Sequence, residues 1–295
     1  MPPASLDVIQ DRANMLSKAR SFFAQRNILE VDCPILSRSA SVDAHIDLIY
    51  SESSDVYLHS SPEYGMKKLL ASGVGDIYQL SHVFRAGEEG HKHRPEFMMA
   101  EWYRVGFNYD QMIEETCAFI RLFVGKQSVR KVSYREAFLT YADIDPMTDS
   151  LEEHAARHGG VQTRDDILNI LLALNVEPFL GQDELTVITH YPATQCALAK
   201  TETVEGHRVA KRFEVYYKGL ELANGYDELS DPEEQRKRFE HANKQRIQMG
   251  KAPLPIDEEF LNCLGSLPDC CGVAVGFDRL MMLRHKTQNI RDVIF

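Results

Sequence analysis

The chain has 295 residues, 44% of them hydrophobic and 26% charged, and a formal net charge of −11. At ~150 residues per domain this length allows one large domain or two small ones, with a core that needs no disulfide or structural metal. The acidic balance offers no long-range attraction to a nucleic-acid backbone, and no apolar run is long enough for a membrane-spanning helix.

The start, Met1-Pro2-Pro3-Ala4, lacks the layout of an export signal. Apolar residues spaced three and four apart predict an amphipathic helix over residues 6–26, with Ser5 as its N-cap. A short strand over 28–34 closes at Pro34, and extended runs follow at 46–50 and 56–59. Residues 62–71 read as a helix with Pro62 in its first turn and Gly73 past its end. Two strands, 77–85 and 97–107, flank a polar loop over 86–94, and a helix covers 109–123. Small helices over 133–141, 151–158 and 166–174 predict a helical insertion at about 132–180. Strands return at 185–191, 212–217 and 219–225. A charged helix over 232–248, a short helix over 256–264, a strand over 271–275 and a helix from 277 complete the chain. Strands clustered early and late, without regular alternation with helices, predict an α+β fold around a mainly antiparallel sheet. The six cysteines form no C-x-x-C pair and read as buried thiols in a reducing, cytoplasmic setting. His154 and His158 have a metal-ligand spacing but no evident third ligand, and read as a solvated helix face.

Chemistry concentrates in three stretches. In the first, Arg85 closes a strand, a polar loop follows, and on the returning strand Phe97, Met99, Glu101 and Tyr103 share one face. A carboxylate on such a face must be paired or meet a cationic ligand. In the second, Glu221 shares a face with Ala223, and a turn at Asn224-Gly225 redirects the chain toward Glu228. Two carboxylates so placed suit Mg²⁺ with phosphate oxygens, and a hairpin edge with incidental acids reads equally well. In the third, the small-residue run Gly272-Val273-Ala274-Val275-Gly276 feeds a helix beginning Phe277-Asp278-Arg279. Small side chains let a ligand lie close to the backbone, and an arginine in a first helical turn opposes the helix dipole unless an anion repays it.

Together these stretches resemble the signature of class II aminoacyl-tRNA synthetases, in the lysyl branch. The Arg85 loop with His93-Arg94-Pro95-Glu96-Phe97 resembles the second motif of that superfamily, and residues 272–279 the third. The first helix running on to Val31-Asp32-Cys33-Pro34 resembles the first motif, which packs the family's dimer interface. Within the branch, Ser61-Pro62-Glu63-Tyr64-Gly65-Met66-Lys67, Glu101-Trp102-Tyr103-Arg104 and Glu221-Leu222-Ala223-Asn224-Gly225-Tyr226 are similar to amino-acid–protein ligases that lack the tRNA-reading domain. The first helix begins almost at once, which agrees with a chain lacking the anticodon-binding barrel. Ala274 stands where the tRNA-charging enzymes usually have glycine, and a misplaced methyl in a pocket is worth ~1–3 kcal/mol.

The resemblance implies a homodimeric enzyme that uses ATP and Mg²⁺ to activate a lysine-type amino acid, β-lysine, as an adenylate. It then transfers the amino acid to a lysine side chain of elongation factor P, with tRNA not a partner. A truncated or stand-alone synthetase that charges tRNA, and an inactive scaffold, are the alternatives. By resemblance Arg85 and Arg279 are catalytic. Arg85, Glu88, His93, Phe97, Glu221, Gly276 and Arg279 hold ATP. Ser61, Glu63, Glu101, Tyr103, Asn224 and Ala274 hold the amino acid, and Glu221 and Glu228 hold Mg²⁺. The chain departs from the second motif at Gly87, where the family has a glutamate that helps hold ATP, and Glu88 is the candidate substitute.

Overall fold

The structure, a computed structural model, describes residues 5–39, 41–157 and 163–295. His158 of the histidine pair and the first four residues lie outside the described residues. In chain order the elements are α1 (Leu6–Ala24), β1 (Leu29–Glu30), β2 (Leu36–Ser37), β3 (Tyr50–Ser51), β4 (Val56–Leu58), α2 (Glu63–Ala71), β5 (Ile77–Phe84), β6 (Glu96–Val105), α3 (Tyr109–Val124), β7 (Val129–Ser133), α4 (Tyr134–Tyr141), α5 (Glu152–Arg157), α6 (Arg164–Leu171), β8 (Leu185–Pro192), β9 (Thr201–Val204), β10 (His207–Tyr217), β11 (Leu220–Asp227), α7 (Pro232–Gln248), α8 (Glu258–Leu264), β12 (Cys270–Gly276) and α9 (Phe277–His285).

The large sheet runs β1-β5-β6-β12-β11-β10-β8-β7, with β9 paired to β10. Its inner neighbours are antiparallel, and the end pairs β1–β5 and β7–β8 are parallel. The mixed α+β architecture around a mainly antiparallel sheet is therefore as the sequence predicts. Strand alternation sorts the two faces. Ala100 and Trp102 of β6 join Met15 and Phe23 of α1, Phe119 of α3 and Phe277 of α9 in one core. The opposite face carries Tyr103, which packs with Tyr64 and Met66 of α2, Phe239 of α7 and Phe260 of α8. A further core joins Tyr134, Phe138 and Leu168 to Ile188 and Tyr191 of β8.

Several elements differ from their sequence reading. The strand expected over 28–34 is only β1, because its edge pairing with β5 ends at Glu30. Just ahead of the stretch read as helical, and overlapping its first two residues, lies an unexpected strand, β7, held in place by parallel pairing with β8 rather than by any alternation of its own. The largest correction falls at Asn224-Gly225, where no turn forms and β11 runs straight through to Asp227. Glycine is needed there for space: a Cβ on Gly225 would meet the Phe213 ring and the Gly272 carbonyl.

Candidate active site

The register of the sheet lays polar residues in transverse rows. Gln79, Glu101, Ala274, Asn224 and Glu214 stand opposite one another on successive strands, and Ile77, Tyr103, Gly272, Tyr226 and Arg212 form the next row. These rows floor a cavity of about 750 Å³, roofed by α7 and the segment 41–46. Every site residue expected from the sequence lines it: Ser61, Glu63, Arg85, Glu88, His93, Phe97, Glu101, Tyr103, Glu221, Asn224, Glu228, Ala274, Gly276 and Arg279.

One end is cationic. Arg85 follows β5 and lies 5.1 Å over the Phe97 ring. Its Nε is buried and has no hydrogen-bond partner among the described residues. Arg279, in the first turn of α9, donates to the Glu221 carbonyl at 2.8 Å, approaches the Glu221 carboxylate at 3.4 Å and meets His93 Nε2 at 2.8 Å. Burial and the neighbouring Arg279 charge push the His93 pKa down, so its ring is neutral and accepts from the guanidinium. Asp278 answers the dipole misfit of an arginine at a helix start. It accepts from Arg12 of α1 at 2.5 Å and from the Met98 N–H at 2.7 Å, clamping α9 to β6. Gly87 has φ +76°, a left-handed conformation in which a glutamate would be strained. The acid at the next position, Glu88, sits 3.8 Å from Arg85.

The other end is acidic. Lys67 of α2 is fully buried and pairs with Glu63 at 2.6 Å and Glu228 at 2.7 Å. Glu101, 2% exposed, accepts from Ser61 Oγ and from the Tyr103 hydroxyl, each at 2.7 Å. Burial, then the Glu63 charge, pushes Glu101 up to about 7. Burial pushes Glu228 up to about 8 despite Lys67. Burial disfavours the Lys67 ammonium, but Glu228 and Glu63 outweigh it and hold its pKa well above the ordinary value. With all three acids ionised, a single ammonium leaves two negative charges unmatched, which a doubly cationic ligand neutralises. Gly272 makes the room, since a Cβ there would strike the Tyr103 ring and the Glu228 carboxylate.

The placement of Glu221 differs from its reading. Val215 faces Ala223 while Tyr216 faces Glu221, so Leu222 is an extra residue in β11. This bulge turns Glu221 away from the face of Ala223 and onto that of Asn224. Glu228, expected beside Glu221 at a metal, instead pairs with Lys67. Among the described residues no three His, Cys, Asp or Glu side chains converge as metal ligands. Burial, then the Glu214 charge, pushes the Glu221 pKa up against the pull of Arg279, Arg212 and Arg85. One such carboxylate plus phosphate oxygens fits the Mg²⁺ preference for few protein ligands.

Sequence reasoning gave Lys67 no role. Its signal was present: Glu63, Lys67 and Leu70 share one helical face, and a lysine on an apolar stripe demands an acid. Arg212 and Glu214 were also missed. Glu214 accepts from Tyr191 at 2.6 Å and from Tyr216 and Arg212, each at 2.5 Å. These partners come from two strands, and no local pattern announces them.

A cavity with arginines at one end and three carboxylates around a lysine at the other, floored by a mainly antiparallel sheet, agrees with the class II synthetase resemblance drawn from the sequence. The profile of the class II tRNA synthetases (D, K and N) matches residues 2–295, and the chain belongs to that family. Among its relatives is the elongation factor P–(R)-β-lysine ligase of Proteus mirabilis, 42% identical, with 99% of this chain and 95% of that protein covered. The enzymes of the same name from Salmonella typhi and Vibrio parahaemolyticus are each 41% identical, with 99% and 96% of this chain and 95% and 93% of those proteins covered.

Proposed function

We propose that this chain is an ATP-dependent, AMP-forming ligase, catalytic along its whole length, that activates (R)-β-lysine and transfers it to a lysine side chain of elongation factor P. The observation that carries this reading is the gathering of three carboxylates, Glu63, Glu101 and Glu228, around the single Lys67 ammonium at one end of the cavity that holds the unpartnered Arg85 Nε at the other. The unpartnered Nε calls for an anionic acceptor, which the ATP α-phosphate supplies, and Phe97 beneath the guanidinium offers a face for adenine. In the first step a carboxylate oxygen of the amino acid bonds to the α-phosphorus, and the bond to the bridging oxygen breaks, releasing pyrophosphate. Arg85 binds both anions and Arg279 the far phosphate, lowering the charge that develops between them. In the second step a neutral lysine amine attacks the adenylate carbonyl carbon, AMP leaves, and the amine proton passes to the AMP phosphate. Glu221 would hold Mg²⁺, which when bound would supply further neutralisation of the pyrophosphate charge. Ser61, Glu63, Glu101, Tyr103, Asn224, Ala274 and Glu228 form the amino-acid site. A homodimer forms through the segment after α1, where Leu29 and Leu36 are 55% and 56% exposed.

The test is pyrophosphate exchange with ATP and either α-lysine or β-lysine, followed by transfer to purified elongation factor P or bulk tRNA. Exchange driven by β-lysine and labelling of the protein alone are expected. Labelling of tRNA alone establishes the synthetase reading instead, and no exchange with any amino acid establishes an inactive scaffold.

Two further outcomes follow from the acids. Glu101 and Glu228 take up protons as pH falls below about 7 and about 8, and a protonated carboxyl cannot neutralise an ammonium. Affinity for β-lysine therefore falls about tenfold or more between pH 8 and pH 6, with proton release on binding. Calorimetry in buffers of different ionisation enthalpy reads both, and tighter binding at pH 6 contradicts the cage. Glu101→Gln weakens amino-acid binding about tenfold or more and leaves ATP binding unchanged; an equal loss of both, in the same titrations, removes Glu101 from the amino-acid site.

A further inference from the structure

Gln235 lies one turn into α7 and is 1% exposed, yet neither its amide oxygen nor its amide nitrogen has a hydrogen-bond partner among the described residues. It lines the cavity. Phe239, one turn further on, is buried against Tyr64, its ring centroid 5.8 Å away, in the cluster that also holds Tyr103. Residues four apart share a helical face, and Gln235 lines the same cavity as Glu63, Glu101 and Glu228. Its backbone has no freedom to carry the amide to solvent. Asp231 caps α7 through the Glu233 and Glu234 N–H groups, and Arg238 donates to the Ala197 and Ala199 carbonyls at 3.0 and 2.7 Å. Asn224 shows the same condition across the cavity floor, with a buried side-chain oxygen that has no partner among the described residues.

A buried amide left unpaired destabilises the protein, and an apolar residue of similar shape avoids that cost. Its retention on a rigid helix beside an unneutralised acidic cage is explained by a ligand that completes it. We propose that Gln235 is a specificity-determining residue of the amino-acid site, its Oε1 accepting a hydrogen bond from an ammonium group of the diamino-acid substrate. The three carboxylates supply charge, which attracts any cation of the right size. The amide supplies a fixed direction, which separates amino-acid isomers whose ammonium groups sit on different carbons. This inference rests on the functional reading above.

Gln235→Met keeps the length and removes both polar atoms. It raises the KM for β-lysine ten- to a hundredfold, about the worth of one hydrogen bond to a charged group. The KM for ATP stays within twofold, and the urea midpoint of the ligand-free protein is unchanged or raised. Gln235→Glu, which keeps an acceptor oxygen, recovers most of the amino-acid affinity at pH 8. An unchanged β-lysine KM in Gln235→Met overturns the inference, as does an equal rise in both KM values, a lowered urea midpoint, or a folded Gln235→Glu variant as weak as the Met variant. The wild-type protein run alongside separates the two levels. Wild-type exchange with β-lysine and an unaffected Met variant sink the Gln235 role alone, whereas no wild-type exchange with any diamino acid sinks the functional reading and this role together.

Discussion

Arg85→Ala lowers amino-acid-dependent pyrophosphate exchange by about 10²–10³-fold, the range for losing one preorganised donor to developing charge. The expectation rests on the state of the side chain without ligand. The guanidinium is held over Phe97 and near Glu88, but its buried Nε is unsatisfied. Bound anion therefore gains a contact that needs no rearrangement, and the loss falls on kcat more than on either KM. Arg85→Lys rescues little, because a point charge cannot bridge two anions as a planar fork does. Steady-state exchange measured against both substrates checks this, and a lysine variant with near wild-type kcat contradicts the bridging role. Arg279 behaves differently. It already spends one nitrogen on the Glu221 carbonyl and another on His93, so Arg279→Ala disturbs the bulge and the loop as well as phosphate binding.

How far the sequence reveals this site depends on how local each interaction is. The face shared by Phe97, Met99, Glu101 and Tyr103 is legible because alternation along one strand is a purely local rule, and the transverse rows show all four in the cavity. The Ser5 cap on α1 and the start of α7 at Pro232 are legible for the same reason. Glu221 defeats that rule, because a bulge adds one residue and reverses the face of everything before it, and a bulge is set by the partner strand. Asn224-Gly225 has the composition of a turn, yet its glycine answers to the Phe213 ring on β10. Glu228 is ambiguous in the chain because a carboxylate suits either a metal or an ammonium. In the fold α2 brings Lys67 to Glu228, an arrival that no local pattern in the chain announces.

That arrival makes Lys67 the most consequential side chain of the amino-acid end. Lys67→Met destabilises the protein by ~3–5 kcal/mol at pH 8, the range for removing one partner of a buried ion pair. The loss is electrostatic rather than a matter of shape, since methionine fills nearly the same space, and it therefore carries a pH signature. Glu101 and Glu228 already have folded-state pKa values raised to about 7 and about 8, and losing the one ammonium between them raises both further. An acid whose folded pKa lies above its unfolded value opposes folding once it ionises, so its penalty is present above the folded pKa and is relieved as pH falls through it. The deficit of Lys67→Met thus shrinks as pH drops from 8 to 6. Glu228→Gln added to Lys67→Met recovers part of the stability at pH 8, and recovers more than the same substitution gains alone, where Lys67 still offsets the Glu228 charge. Urea unfolding of the four proteins at both pH values measures the coupling. A deficit independent of pH, or additive single effects, means that Lys67 serves only packing and that the acids are not held against one another.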